Sequence, residues 1–451
     1  MKQIGFVCFG EINTPFERLV IKHDEAQRSL AALENAQVFD AGLVIDDAKY
    51  ETADRATQAL KEHELDCIIL CVAGWVPTHA VIRVTDHFRH LPMLLWGLCG
   101  WMENGHLVTT ADQAGTTAIR PALAAMHYRY QYIYSVVGKP APIEKIKAFT
   151  DAAYAARFLR SARVGTMGYR DMLLYGTQFE GNSMRGKLGV EVEPFEMLEV
   201  SRIADALPEE SVRETISNIR KLWVFDKPCD DSVLETGVRY ALAVGEKIKE
   251  RGFGAVTLID VDGMKKLLGF PPAMVFMLLE QQYGVLTIPE NDVMGAVTQL
   301  IAKAISGQTV PYLEYYEFFE KSMLIGVPDF IPKSATAGDV HVLPTAFGLL
   351  SQSLLNVSKV KTGLVTCLRL VYQDGRYGMH MYLADAKTPA TWEECGWTPP
   401  APQLPSLEVF PLDCTVEEFA EKVSSQHVIV CYGDYREAVR SFCKLMDIDL
   451  I

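Results

Sequence analysis

Residues 66–71 read Asp-Cys-Ile-Ile-Leu-Cys, a short apolar run that opens on a polar residue. A run of this length without polar alternation is typical of a strand buried on both faces of a parallel sheet. The first third of the chain contains three more such runs, at residues 4–8, 92–97 and 131–137. Helical patterns at residues 25–35 and 53–64 lie between them. This alternation predicts an α/β domain with a doubly wound parallel sheet.

A second series of the same kind begins near residue 163. Its strand candidates are residues 163–168, 189–192, 254–260 and 284–289. Its helix candidates include residues 233–251 and 292–306, and a helix at residues 143–161 would link the two series. Because strands again alternate with helices, the sequence predicts two consecutive doubly wound parallel-sheet domains.

The character of the sequence changes after about Pro311, where proline and glycine become frequent. Two β-rich runs, at residues 363–372 and 376–383, flank Asp374-Gly375, a dipeptide suited to a tight hairpin. This pattern predicts a mostly β, barrel-like C-terminal domain. The predicted domains are therefore residues 1–160, 161–310 and 311–451.

The composition excludes several kinds of partner. Lys and Arg number 43 against 57 Asp and Glu, which gives a formal net charge of −14. A field of this sign repels phosphate backbones and anionic headgroups, so we expect neither nucleic acid nor membrane partners. No apolar run approaches the ~20 residues of a membrane span, and no export signal is recognised. Scattered cysteines without a Cys-x-x-Cys pair are typical of reduced thiols, and we expect a cytoplasmic protein.

Two carboxylates lie at positions where a functional site is expected. Glu290 directly follows the strand candidate at residues 284–289, at the sheet edge where α/β proteins bind ligands. Because a helix follows, capping of that helix by Glu290, Asn291 or Asp292 is the competing interpretation. Glu314 lies among three aromatic residues, where burial would raise its pKa and make it a better base, or else demand a cation partner. An exposed acid on an aromatic loop is the alternative there.

Two histidines complete the candidates for a metal centre. His341 lies in Asp339-Val340-His341, and His427 opens an apolar run that ends at Tyr432. A lone histidine is more often a hydrogen-bonded core residue than a ligand. Two carboxylates with one or two histidines do suit Mn²⁺, Fe²⁺, Co²⁺ or Zn²⁺ better than Ca²⁺. No Gly-x-Gly-x-x-Gly follows the first strand, so no dinucleotide cofactor is predicted.

At these positions the chain resembles the L-fucose isomerase family and, more distantly, L-arabinose isomerases. The stretches that carry the resemblance are Ile288-Pro289-Glu290-Asn291-Asp292, Leu313-Glu314-Tyr315 and Gln426-His427. The chain has glutamate at 314 and glutamine at 426 where fucose isomerases have aspartate and asparagine. The resemblance implies that Glu290, Glu314 and His427 bind the metal, and that His341 takes the place of a further histidine ligand of arabinose isomerases.

The resemblance also implies an activity. The chain would be a metal-dependent aldose–ketose isomerase that moves a proton between two sugar carbons through a cis-enediol(ate), with Glu290 and Glu314 as the acid/base pair. Mn²⁺ or another divalent transition metal is the implied cofactor, and a small-molecule sugar is the implied substrate. Gln426 and Trp75 would contact that sugar. Trp75 would come from an adjacent subunit of a trimer or hexamer, because the family shares its sites between subunits.

Two other interpretations stay open. Fucose-isomerase-like proteins include sulfoquinovose isomerases, and Arg83, His79 and His87 near Trp75 are the candidates for binding a sulfonate. In a different class, two consecutive α/β lobes are typical of non-catalytic sugar-binding proteins. Such proteins usually hold the sugar between the lobes without a metal.

Overall fold

A computed structural model describes residues 1–327, 330–345, 353–389 and 405–451. The strands in these ranges are β1 Lys2–Gly10, β2 Ala36–Ile45, β3 Cys67–Val72, β4 Met93–Gly97, β5 Trp101–Glu103, β6 His106–Val108, β7 Tyr130–Tyr134, β8 Arg163–Met167, β9 Glu191–Phe195, β10 Trp223–Phe225, β11 Ala255–Leu258, β12 Leu286–Ile288, β13 Tyr312–Phe318, β14 Met323–Gly326, β15 Val340–Leu343, β16 Leu355–Asn356, β17 Gly363–Gln373, β18 Arg376–Lys387, β19 Ser406–Pro411, β20 His427–Tyr432 and β21 Asp449–Leu450.

The helices in the same ranges are α1 Phe16–Leu30, α2 Glu51–Lys61, α3 Thr78–Thr85, α4 Asp112–Ala125, α5 Ile143–Ser161, α6 Gly181–Ser183, α7 Met197–Ala206, α8 Glu209–Leu222, α9 Asp231–Arg251, α10 Ala273–Tyr283, α11 Val293–Ser306, α12 Val416–Lys422 and α13 Arg436–Met446. None of the helices in the part of the chain described here combines the length and the apolarity that crossing a lipid bilayer requires. The cytoplasmic location stays a prediction.

The first compact unit comprises residues 1–157 and 437–447. Its sheet has the order β2-β1-β3-β4-β7, and every neighbouring pair is parallel. All six residues of β3 are buried, as the apolar run at residues 66–71 predicts. The sequence reading missed β2, in which only Val44 is buried. An edge strand with one pairing partner has no need of a continuous apolar run, so its sequence lacks the signal.

The second compact unit comprises residues 158–436 and 448–451, and it contains a second parallel sheet. Its strand order is β12-β11-β8-β9. Strand β12 is short and fully buried, and α11 follows it after a four-residue turn. Nearly all of α11 is buried, which explains why its sequence is apolar around most of its circumference.

The same unit contains a closed antiparallel barrel of six strands. The order is β17-β20-β13-β14-β19-β18, and the pairing of β17 with β18 closes it. The turn between those two strands is Asp374-Gly375, with φ of 51° and 78°. Positive φ at both positions is the geometry that two-residue hairpins favour, so the hairpin prediction is confirmed.

The architecture is therefore mixed α/β, with parallel sheets and a barrel, as the sequence predicts. The division into three domains stays a prediction, since the described residues form two compact units. Helix α13 belongs to the first unit although it follows the barrel in sequence. Within that unit, the Gln131 side chain donates a hydrogen bond to the Ser441 backbone oxygen of this helix, at 2.9 Å.

Candidate metal centre

The turn between β12 and α11 places Glu290 with an unusual backbone. Glu290 and Asn291 both have positive φ, 60° and 52°. Such values are uncommon outside glycine and persist only where the surroundings fix them. Here the Glu290 N–H donates to Asp260 Oδ1 at 2.6 Å, and the Thr166 hydroxyl donates to Asn291 Oδ1 at 2.7 Å. These contacts fix the backbone conformation of the turn and hold Glu290 at the carboxyl edge of the sheet.

The barrel supplies the other two members of the site. Glu314 on β13 and His427 on β20 are directly opposite residues of an antiparallel pair. Opposite side chains on one face of such a pair have Cβ atoms about 4.5–5.5 Å apart. The strand register therefore brings together two residues that are far apart in sequence.

Glu290, Glu314 and His427 form one cluster. Each offers a ligand atom, and these atoms lie within 4.8 Å of one another. His427 Nε2 lies 3.1 Å from Glu290 Oε2 and 3.5 Å from Glu314 Oε1. Atoms that share an ion at roughly 2.0–2.2 Å are about 3.0–3.5 Å apart, so this donor set fits one metal ion.

The charges of the cluster depend on each other. Burial alone would lower the pKa of His427, but hydrogen bonds to Asp292, Glu290 and Glu314 outweigh it and raise the pKa to about 10. Burial raises the pKa of Glu290, and the contact with His427 opposes this effect. Without a metal, His427 is therefore an imidazolium that partly neutralises the carboxylates around it.

Asp292 lies behind the cluster and is fully buried. Its carboxylate caps α11 by accepting from the Gly295 N–H at 2.9 Å, so Asp292, not Glu290, is the capping residue. It also accepts from Tyr312 Oη at 2.9 Å and from both terminal nitrogens of Arg369, at 2.5 and 3.0 Å. Burial raises its pKa, but the charge of Arg369 and the contact with His427 bring it well below its usual value.

The sequence reading missed Arg369. This residue is 2% exposed and lies within the buried part of β17. A single arginine inside an apolar strand is a usable signal, because a buried charge is almost always paired. The sequence alone does not indicate which carboxylate pairs with Arg369.

The other predicted site residues have different positions. The Gln426 amide nitrogen lies 3.3 Å from Glu290 Oε2 and 3.1 Å from His427 Nε2, so it borders the cluster. His341 is not part of the cluster. It lies on β15, in a separate three-stranded sheet, and its Nδ1 is 2.9 Å from Asp226 Oδ1. Trp75 belongs to the first unit, follows β3 and is 39% exposed.

No family model matches this chain, and no curated protein matches it. One matching solved structure is an ABC transporter periplasmic solute-binding protein from Actinobacillus succinogenes with bound D-allose, at 12% identity. The match covers 69% of this chain and 94% of that one, with a TM-score of 0.18. Another is an ABC transporter solute-binding protein from Agrobacterium vitis bound with alpha-D-tagatopyranose, at 14% identity. It covers 64% and 93% of the two chains, with a TM-score of 0.17.

These matches contradict the isomerase prediction. Both solved structures are described as solute-binding proteins with bound sugars, and neither is described as an isomerase. Matches at these TM-scores carry no argument about the ligand of this chain. That the chain is an enzyme, that it uses manganese and that it is a homo-oligomer stay predictions.

Proposed function

We propose that this chain binds a divalent metal ion through Glu290, Glu314 and His427, and that the ion holds a small polyhydroxylated ligand of the sugar class. The observation that carries the proposal is the convergence of two carboxylate oxygens and one imidazole nitrogen within 4.8 Å. Acidic groups often cluster on surfaces without a metal, but Glu290 and His427 are only 6% and 1% exposed. An imidazolium at His427 offsets only one of the two carboxylates, whereas a divalent ion bound to a neutral His427 would offset both, and buried charge is costly unless it is paired.

Charge balance supports a divalent ion. The negative charge of Asp292 is matched by Arg369 at 2.5 Å. Glu290 and Glu314 then contribute two negative charges, and a neutral His427 contributes none. Two carboxylates with an imidazole suit Mn²⁺, Fe²⁺, Co²⁺ and Zn²⁺, and manganese, the predicted cofactor, belongs to this set. Bound there, the ion would supply a Lewis acid for oxygen ligands.

The unused coordination positions support an oxygen-rich ligand. Three protein ligands leave at least one position of a divalent ion open. The Glu314 side chain is 23% exposed, so the cluster is accessible on that side. The Gln426 amide beside it offers a donor and an acceptor to hydroxyl groups. Adjacent sugar hydroxyls match both features.

Two features predicted from sequence belong to the proposal. The resemblance to the L-fucose and L-arabinose isomerase family implies the same three residues as metal ligands, and conversion of the sugar is not part of the proposal. Trp75, with 39% of its surface exposed, would stack on a sugar bound by an adjacent copy of the chain. This role requires a homo-oligomer.

Metal binding is tested by titrating EDTA-treated protein with Mn²⁺ in a calorimeter. We expect one ion per chain for the wild type and at least tenfold weaker binding for Glu314→Gln. Glu317→Gln is the matched control, because Glu317 lies on the same strand and is exposed. It should bind Mn²⁺ like the wild type. Absence of Mn²⁺ binding to the wild type, or equal losses in both variants, would overturn the proposal.

The sugar ligand is tested by titrating the Mn²⁺-loaded and metal-free proteins with L-fucose, D-arabinose, L-arabinose and sulfoquinovose. We expect at least one sugar to bind to the loaded protein and none to bind to the metal-free protein. Equal binding to both forms would separate the sugar from the metal and contradict the proposal. Chromatography of the incubated sugar is the second measurement, and a newly formed ketose would contradict binding without conversion.

A further inference from the structure

Asp292 makes contacts that helix capping does not require. A cap needs one carboxylate oxygen, and Asp292 Oδ1 provides it to the Gly295 N–H. The other oxygen, Oδ2, accepts from Tyr312 Oη and lies 3.4 Å from His427 Nδ1. The carboxylate therefore faces the ring nitrogen of His427 that points away from Glu290 and Glu314.

We infer that Asp292 is the positioning residue that orients His427 for the metal, an inference that rests on the proposed function. A histidine binds a metal through one nitrogen, and a hydrogen bond from the other nitrogen fixes which one is available. With the Nδ1 proton directed at Asp292, the Nε2 lone pair faces the oxygens of Glu290 and Glu314, at 3.1 and 3.5 Å.

Arg369 and Tyr312 hold Asp292 in this orientation. Both terminal nitrogens of Arg369 donate to the carboxylate, which fixes its plane. Tyr312 donates from its hydroxyl and also packs its ring against the imidazole, with ring centroids 4.4 Å apart. The imidazole is thus constrained at its Nδ1 edge by Asp292 and on its face by the tyrosine that binds Asp292.

The decisive variant is Asp292→Asn, which keeps the size of the side chain and one oxygen for the cap. It removes the negative charge that His427 Nδ1–H faces. We expect Mn²⁺ binding to weaken about 10- to 100-fold, the usual cost of losing such a partner. Asp112→Asn is the matched control, because Asp112 is an equally buried aspartate paired with a cation, Lys22, in the other compact unit. The Asp112→Asn variant should be less stable to unfolding and should bind Mn²⁺ with the affinity of the wild type.

A spectroscopic measurement separates positioning from a structural role. In Zn²⁺-loaded protein labelled with ¹⁵N-histidine, the Nδ1 proton of His427 should resonate far downfield, and Asp292→Asn should move it upfield. The signal is assigned by its loss in His427→Gln. Tyr312→Phe retains the ring and removes one donor to Asp292, so it should shift the same signal and weaken Mn²⁺ binding at least threefold.

The outcomes distinguish the inference from the proposed function. Absence of metal binding to the wild type defeats the proposed function. Metal binding by the wild type, with unchanged affinity and an unmoved proton signal in Asp292→Asn, overturns the inference alone. If Asp292→Asn does not fold, Tyr312→Phe decides by the same two readouts.

Discussion

Mn²⁺ binding to the cluster of Glu290, Glu314 and His427 should tighten about tenfold for each unit of pH. In the metal-free protein the pKa of His427 is about 10, because hydrogen bonds to three carboxylates outweigh its burial. A metal needs the neutral ring, so binding displaces one proton wherever the pH is below that pKa. Between pH 6 and pH 8 the affinity should rise about 100-fold, or about 2.7 kcal/mol. Burial also raises the pKa of Glu290, so the Mn²⁺ affinity should depend more steeply on pH at the acid end of this range.

The assay is calorimetric titration with Mn²⁺ from pH 6 to pH 8, repeated in two buffers of different ionisation enthalpy. The difference between buffers counts the protons released per metal ion. His341→Gln is the control variant and should retain the slope, because His341 lies on another sheet and contacts Asp226. An affinity independent of pH, or release of no proton, would refute the view that His427 is an imidazolium before the metal binds.

Three further predictions concern stability. Burial lowers the pKa of His380 to about 4. In the unfolded chain His380 takes up a proton as the pH falls below 6.5, whereas in the native protein it stays neutral at pH 5. The free energy of unfolding should therefore fall by about 2 kcal/mol from pH 7 to pH 5. Lys22→Met should cost about 3–5 kcal/mol, because it leaves Asp112 buried and unpaired, and Lys22→Met/Asp112→Asn should recover part of the loss. Gly115→Ala should cost about 1–3 kcal/mol, since its Cβ would lie 2.8 Å from a backbone oxygen, whereas Gly181→Ala meets nothing closer than 3.8 Å.

Urea denaturation measures all three stability effects. His380→Gln should flatten the pH dependence between pH 5 and pH 7, and an unchanged profile would contradict the first prediction. A double variant as unstable as Lys22→Met would contradict the second, because the unpaired carboxylate is gone. Equal effects of the two alanine substitutions would contradict the third, because of these two positions only Gly115 would bring its Cβ close to a backbone atom.

Local patterns in the sequence predicted much of the architecture. Buried strands such as β3 have continuous apolar runs, and Asp374-Gly375 adopts the backbone that its turn requires. Both are short-range properties that a window of a few residues contains. Strand β2 was missed because its partly exposed residues lack that signal. Helix α13 belongs to the first unit although it follows the barrel in sequence, and local patterns contain no information about such long-range packing.

The sequence by itself determined the kinds of residues in the candidate site. Their positions after a strand, among aromatic residues and at the start of an apolar run made Glu290, Glu314 and His427 candidates, and the resemblance to the L-fucose isomerase family implied that they act as one set. Only the tertiary structure decided that their ligand atoms meet within 4.8 Å and that His341 lies elsewhere. It also decided that Arg369 neutralises Asp292. The physical reason is that these contacts depend on the register of β13 with β20, which joins residues 113 positions apart, and on strand β17, which carries Arg369 to Asp292, 77 positions away.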